Sequence, residues 1–176
     1  DVTLGGTGDM GIGNTTASSA IAAVLTGHAV EEVTGRGTGV DDDMLRHKAE
    51  VISDAIALHR PDSADPLDVL AKVGGLEIAG IAGLIIGAVC NRIPVVIDGF
   101  ISGAAALVAV SLKQDIREYL FAGHRSAESG HRIILEWLGV KPLLDLSMRL
   151  GEGTGAALGM FVIESGIRVL REVLTF

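Results

Sequence analysis

Pro94-Val95-Val96-Ile97-Asp98-Gly99 is the stretch that decides the fold. It reads as a short apolar strand ending at an acid and a glycine, and the helix-forming segment Ser102–Leu112 follows it. The same grammar recurs downstream. Tyr119-Leu120-Phe121-Ala122 reads as a strand, Gly123-His124-Arg125-Ser126 as a polar loop, and Glu128–Leu138 as a helix. Leu143–Leu146 reads as a third strand, leading through Arg149-Leu150-Gly151-Glu152-Gly153 into a last helix of about Gly155–Leu174. Strand, polar loop and helix repeated in this way predict right-handed βαβ crossovers and a mostly parallel α/β sheet. In such sheets ligands bind outside the carboxyl ends of the strands. Asp9, Asp98, His124-Arg125-Ser126, Arg149 and Glu152 all follow predicted strands, so they are expected to converge on one rim.

Upstream, Val2-Thr3-Leu4 reads as the end of another strand, and a glycine-rich loop runs from Gly5 to Gly13. Asn14, Thr15 and Thr16 are candidate caps for a helix through Ala17–Leu25, which Gly27 closes. A second glycine-rich loop, Thr34-Gly35-Arg36-Gly37-Thr38-Gly39, precedes Asp41-Asp42-Asp43, whose charges suit the first turn of a helix over Asp42–Leu58. Pro61 to Pro66 reads as a surface connection. From Pro66 the pattern is helical again, with a break at Gly74-Gly75. Leu76–Val89 is rich in glycine and alanine and reads as a helix packed closely in the interior.

Composition narrows the classes. The 176 residues suffice for one domain with a real core, or for a large part of a two-domain protein. Apolar residues make up 48% and aromatics 3%, with 24 glycines, a mixture suited to helices packed tightly on a sheet. A net charge of −8 without any Lys/Arg cluster argues against nucleic-acid binding. The single cysteine, Cys90, excludes an internal disulfide; its apolar surroundings predict a buried, inert thiol, and a reducing cytoplasm is expected. The uncharged runs Ile78–Cys90 and Gly99–Leu112 are shorter than the roughly 18–20 residues of a spanning helix, so both read as buried core helices and no membrane association is expected. Because the chain opens at Asp1 inside what reads as a strand, it is expected to be a fragment lacking an amino-terminal segment.

Gly6-Thr7-Gly8-Asp9-Met10-Gly11 matches the dinucleotide fingerprint. It lacks a convincing ribose-binding acid about 20 residues on, and no Gly-Lys-Ser/Thr follows it. Two readings remain: a tight turn into a helix, or backbone N–H groups at a helix start that hold a single phosphate. The glycines of Gly35–Gly39 permit close backbone approach to a ligand, whereas Lys48 reads from pattern alone as a solvated lysine. His124-Arg125-Ser126 has no nucleophile-elbow context, and anion binding suits it better. The five histidines show no metal-ligand spacing, and no metal is expected. Glu152, a carboxylate between glycines at a helix start, reads either as a cap stabilised by the helix dipole or as a positioned general base.

Six ordered motifs carry a resemblance over essentially the whole chain. They are Gly8-Asp9-Met10-Gly11-Ile12-Gly13-Asn14-Thr15-Thr16, Gly35-Arg36-Gly37-Thr38-Gly39, Val73-Gly74-Gly75-Leu76-Glu77-Ile78-Ala79, Pro94 to Phe100, His124-Arg125-Ser126-Ala127-Glu128, and Leu150-Gly151-Glu152-Gly153-Thr154-Gly155. In this order they resemble the carboxyl-terminal, catalytic portion of the nicotinate-nucleotide–dimethylbenzimidazole phosphoribosyltransferase family. The resemblance implies one catalytic domain over residues 1–176, a Rossmann-like three-layer fold with helices on both faces of the sheet, and a cytoplasmic homodimer without a cofactor. It implies transfer of phosphoribosyl from nicotinate mononucleotide to 5,6-dimethylbenzimidazole, giving α-ribazole 5′-phosphate and nicotinate with inversion at C1′. Glu152 takes the place of the family's base. The Gly11–Gly13 loop, Gly37, Lys48 and Ser126 would contact phosphate, ribose or the nicotinate carboxylate. Met10 and Leu150 would enclose the benzimidazole, with Asp98 and Arg149 on the same rim. Asp9 stands where the family usually has Glu, and the family's amino-terminal segment, which supplies part of the azole pocket, is absent. The alternatives are a non-catalytic nucleotide-binding fragment and a dinucleotide-binding protein.

Overall fold

Val95, Val96 and Ile97 are β-branched residues that favour the extended backbone, and all three are fully buried. They form β2 (Val95–Ile97), at the centre of the computed structural model, which describes residues 2–36 and 41–173. Around it the chain runs β1 (Gly5–Gly6), α1 (Thr15–Thr26), α2 (Val30–Val33), α3 (Asp42–His59), α4 (Pro66–Val73) and α5 (Leu76–Cys90). After β2 come α6 (Phe100–Leu112), a 3₁₀ turn at Gln114–Tyr119, β3 (Leu120–His124), α7 (Ser129–Leu138), β4 (Pro142–Leu144) and α8 (Thr154–Glu172). The sheet has the order β1-β2-β3-β4, and each pairing is parallel.

The pleat sends alternate residues to opposite faces. Val95 and Ile97 with Leu120 and Ala122 join the main core, built from α1, α4, α5, α6 and α7. Val96 and Gly123 face the other way, against Gly159 of α8. Helices therefore cover both faces, as the α/β reading expects. Every residue from Phe100 to Val110 of α6 is buried, which is why that stretch shows no polar side. Asp41 caps α3 by accepting from the Met44 N–H at 2.9 Å, and Asp65 caps α4 ahead of Pro66.

Three expectations need correction. The first ladder lies at Gly5–Gly6 rather than Val2–Leu4: Gly5 N–H donates to Pro94 O at 2.9 Å and Thr7 N–H to Val96 O at 3.0 Å. Glycine suits this position because a side chain at Gly6 would displace the end of the Met160 side chain of α8. Second, α5 is not an interior helix. It buries one stripe (Ile78, Ala82 and Ile85), and Leu76 is 92% exposed. Third, Cys90 at the end of α5 is exposed, not buried. An all-apolar run shows which segment is helical but not which side the core will take. The short α2 leaves no signal in the sequence, since four residues are too few for a helical period to register.

Among the described residues no helix is long and apolar enough to cross a membrane.

Candidate functional site: the carboxyl rim of the sheet

The strand ends do converge. Asp9 after β1, Asp98 after β2, His124 and Ser126 at the end of β3, and Arg149 and Leu150 after β4 line one cleft of about 410 Å³. Gly11, Gly13 and Thr15 form another wall of it. A second, more open depression of about 620 Å³ adjoins it, lined by Thr7, Gly8, Ala156, Ala157, Met160 and Glu152. Asp9 and Met10 border both spaces. The strand-end rule thus places the rim correctly, but Glu152 opens onto the neighbouring space and not the main cleft.

Asp9 shapes its own loop. Its Oδ2 accepts from the Gly11 N–H at 3.0 Å and from the Asn14 side-chain amide at 2.7 Å. This bond diverts the Asn14 side chain, which makes no cap on α1. The start of α1 therefore has no side-chain cap on its N–H groups, the arrangement that favours an anion. Lys48 is not the solvated lysine its pattern suggests. From α3 its ammonium donates to Thr15 Oγ1 at 2.8 Å and to Gly35 O at 3.3 Å. Burial pulls its pKa below the usual lysine value, with the negative charge of Glu128 pulling back. Gly37 lies outside the described residues.

Asp98 is 2% exposed, and its carboxylate is engaged by the start of α8. Its Oδ1 accepts from the Gly155 N–H at 2.7 Å and the Ala156 N–H at 3.1 Å, and Oδ2 accepts from the Gly153 N–H at 3.2 Å. It thus borders the cleft while fastening the loop that carries Glu152. The same loop is held from the other side, where the Glu152 N–H donates to Asp9 O at 2.8 Å. A side chain at Gly8 would collide with the Gly153 backbone, so glycine permits this contact. Residues 151 to 153 are all left-handed, with φ of 78°, 59° and 79°. Two are glycine; Glu152 adopts this conformation at a cost of about 1–3 kcal/mol. A cap role would not require that: the α8 start is capped by Asp98, not by Glu152.

Ser126 is set by a buried histidine. Its N–H donates to His131 Nδ1 at 2.9 Å, and its Oγ accepts from the Glu128 N–H at 3.3 Å. His131 is wholly buried, and burial, then neighbouring His124, push its pKa from 6.5 to about 3. The folded protein thus holds a neutral ring across a range in which the unfolded chain takes up a proton. Stability is retained above pH 6.5 and lost as pH falls from there to about 3, at a rate approaching ~1.4 kcal/mol per pH unit from this one group. Urea unfolding of wild type and His131→Asn at pH 7 and pH 5 should show the variant losing less stability between the two. Equal losses would remove His131 from this role.

Glu128 belongs to a motif of the sequence without standing out there as a site residue. The clue to Glu128 is its place two residues past Ser126 in the same loop, but an acid just before a helix reads first as a cap. Among the described residues no cluster of His, Cys, Asp and Glu is placed to hold a metal ion.

Glycine loops and a helix start border a cleft beyond parallel strand ends, the arrangement in which α/β proteins bind phosphorylated small molecules. Comparison with known proteins is more specific. A sequence model described as phosphoribosyltransferase matches residues 1–176. Nicotinate-nucleotide–dimethylbenzimidazole phosphoribosyltransferases of Desulforudis audaxviator and Geobacter metallireducens are 61% and 59% identical over 99% of this chain and 50% of their own lengths. The crystal structure of CobT from Thermus thermophilus superposes with a TM-score of 0.92 at 48% identity, over 96% of this chain and 50% of that one. The chain belongs to the nicotinate-nucleotide–dimethylbenzimidazole phosphoribosyltransferase family. It spans about half the length of the curated relatives it matches.

Proposed function

We propose that this chain forms the catalytic half of an enzyme that moves phosphoribosyl from nicotinate mononucleotide to 5,6-dimethylbenzimidazole or a related azole. The supporting observation is the pair of spaces divided by Asp9 and Met10. The cleft with the anion-binding loops suits the nucleotide. The adjoining depression, apolar at Met10, Ala156, Ala157 and Met160 and acidic at Glu152, suits an azole with a proton to lose.

The chemistry balances with these groups. Nicotinate leaves from a pyridinium, so the electron pair of the breaking C1′–N bond neutralises the ring and no acid is needed. The azole must lose its N–H proton as its other nitrogen attacks C1′. Glu152 takes that proton, and attack from the face opposite nicotinate converts a β-riboside to an α-riboside. The Gly11–Gly13 loop, Lys48, Ser126 and, by motif, Gly37 hold the phosphate and carboxylate. Met10, on the border of both spaces, flanks the azole, and Leu150, on the wall of the main cleft, closes on it from the nucleotide side. Asp98 acts through the loop it fastens, and Arg149 supplies positive charge at the mouth. In this reading the enzyme works in the cytoplasm as a homodimer; Phe161 and Leu170, exposed on α8, offer apolar surface to a partner or to the rest of the polypeptide.

Release of nicotinate, followed with a panel of azoles in the full-length polypeptide, tests the reading; binding of nucleotide without azole-dependent release would favour a non-catalytic fragment instead. Lys48→Met should weaken nicotinate mononucleotide binding by about 10- to 100-fold, the worth of a charge-assisted hydrogen bond. Because burial lowers the Lys48 pKa, affinity in the wild type should begin to fall with rising pH before the ordinary lysine range. Titration calorimetry across pH checks both. An unchanged affinity in Lys48→Met would remove it from the phosphate site.

A further inference from the structure

Glu128 stands at the cap position of α7, yet its side chain makes no capping hydrogen bond. It lines the main cleft together with Gly11, Gly13 and Thr15. Its Oε2 is buried and meets no hydrogen-bond donor among the described residues. The carboxyl packs on the backbone of Gly35 so closely that any side chain at that position would collide with it. Lys48 is near enough to feel its charge, but that ammonium donates to Thr15 and Gly35. The other cleft acids are differently placed, since Asp98 has both oxygens engaged and Asp9 accepts two bonds at Oδ2. Among the described residues, Glu128 is the carboxylate that keeps a buried oxygen without a donor.

A buried charged acceptor left unpaired is costly, and each such group calls for an explanation. A ligand in the cleft that brings donors supplies one when the carboxyl turns from Gly35 toward it. In a phosphoribosyl donor such as nicotinate mononucleotide, the phosphate and the ring carboxylate only accept hydrogen bonds. The donors it offers are the two ribose hydroxyls. A carboxylate reading a ribose hydroxyl is also a known solution in nucleotide sites. We infer that Glu128 accepts hydrogen bonds from the ribose 2′- or 3′-hydroxyl and makes the site specific for a ribosyl over a deoxyribosyl donor. This rests on the cleft being the phosphoribosyl site.

The test compares nicotinate release from nicotinate mononucleotide and its 2′-deoxy and 3′-deoxy analogues, in wild type, Glu128→Gln and Glu128→Ala of the full-length polypeptide. Comparing ratios cancels the intrinsic reactivity of the analogues, as in a double-mutant cycle. Wild type should prefer the ribosyl donor over one analogue by about 10- to 100-fold more in kcat/KM than Glu128→Ala does. Glu128→Gln, which keeps size and one acceptor, should fall between. If both variants slow ribosyl and deoxyribosyl donors equally, Glu128 is only a counter-ion for Lys48 and the inference fails. Absence of release in wild type would overturn the reaction instead. Calorimetry with ribose 5-phosphate against 2-deoxyribose 5-phosphate would then still decide on Glu128 for the 2′-hydroxyl, and failure to bind either would sink both readings.

Discussion

Glu152→Gln lowers azole-dependent nicotinate release by at least ~100-fold, the usual worth of a positioned general base, and leaves nicotinate mononucleotide affinity within a few fold. The two effects separate because the nucleotide groups and Glu152 open onto different spaces, divided by Asp9 and Met10. The fold should not change. The loop is held through its backbone, by Asp9 O on the Glu152 N–H and by Asp98 on the Gly153 N–H. Glutamine keeps those bonds and the left-handed φ, and loses only the ability to take a proton. Glu152→Gly sharpens the point, since glycine adopts φ of 59° without strain. It should gain about 1 kcal/mol of stability while losing turnover to the same degree. A residue kept for structure would not show stability rising as activity falls. Turnover near wild type in either variant would remove Glu152 as the base.

Much of this was legible in the sequence, for identifiable reasons. The strands read at Pro94–Ile97 and Tyr119–Ala122 stand out because short apolar runs end at polar loops, and a parallel sheet directs those loops to one side, although the second strand runs on through Gly123 and His124, which read as loop. That rule alone puts Asp9, Asp98, Ser126 and Arg149 on the rim, and the structure brings them there. Contacts between loops distant in sequence were not legible. Asp98 reaches 55 to 58 residues along the chain to the start of α8, and no local pattern encodes that. Lys48 likewise looks solvated on its own helix because Thr15, its partner, lies 33 residues earlier. Cys90 misleads for a related reason: an apolar neighbourhood in sequence says nothing about which face of α5 meets the core. Glu128 hides behind the commonest reason for an acid before a helix.

Asp98→Ala should be the most destabilising change at the rim, costing at least ~3 kcal/mol in urea unfolding. The side chain is small, but its removal leaves the Gly153, Gly155 and Ala156 N–H groups without their acceptor in a buried place, at about 1–3 kcal/mol for each unsatisfied donor. It also removes a negative charge from the positive end of α8. Asp98→Asn should recover part of the loss, because one oxygen remains, while its amide opposes a donor with a donor. Asp98→Glu should not rescue, since His124 and the α8 backbone leave no room for another methylene; His124 Nε2 is already 3.7 Å from Oδ1. Activity should fall with stability, and in a particular way. With the clamp gone, the left-handed loop at 151–153 keeps the Asp9 carbonyl and the Thr154 N–H to Gly151 O turn bond but loses its tie to the strand end, so Glu152 samples positions away from the azole. Turnover in Asp98→Asn should therefore drop more than nucleotide affinity, matching the pattern of Glu152→Gln in kind but not in stability. If Asp98→Asn instead keeps its stability within about 0.5 kcal/mol, the range of an inert surface change, and loses nucleotide affinity, the carboxylate is a direct substrate ligand. The clamp would then have to be sought elsewhere in the α8 start.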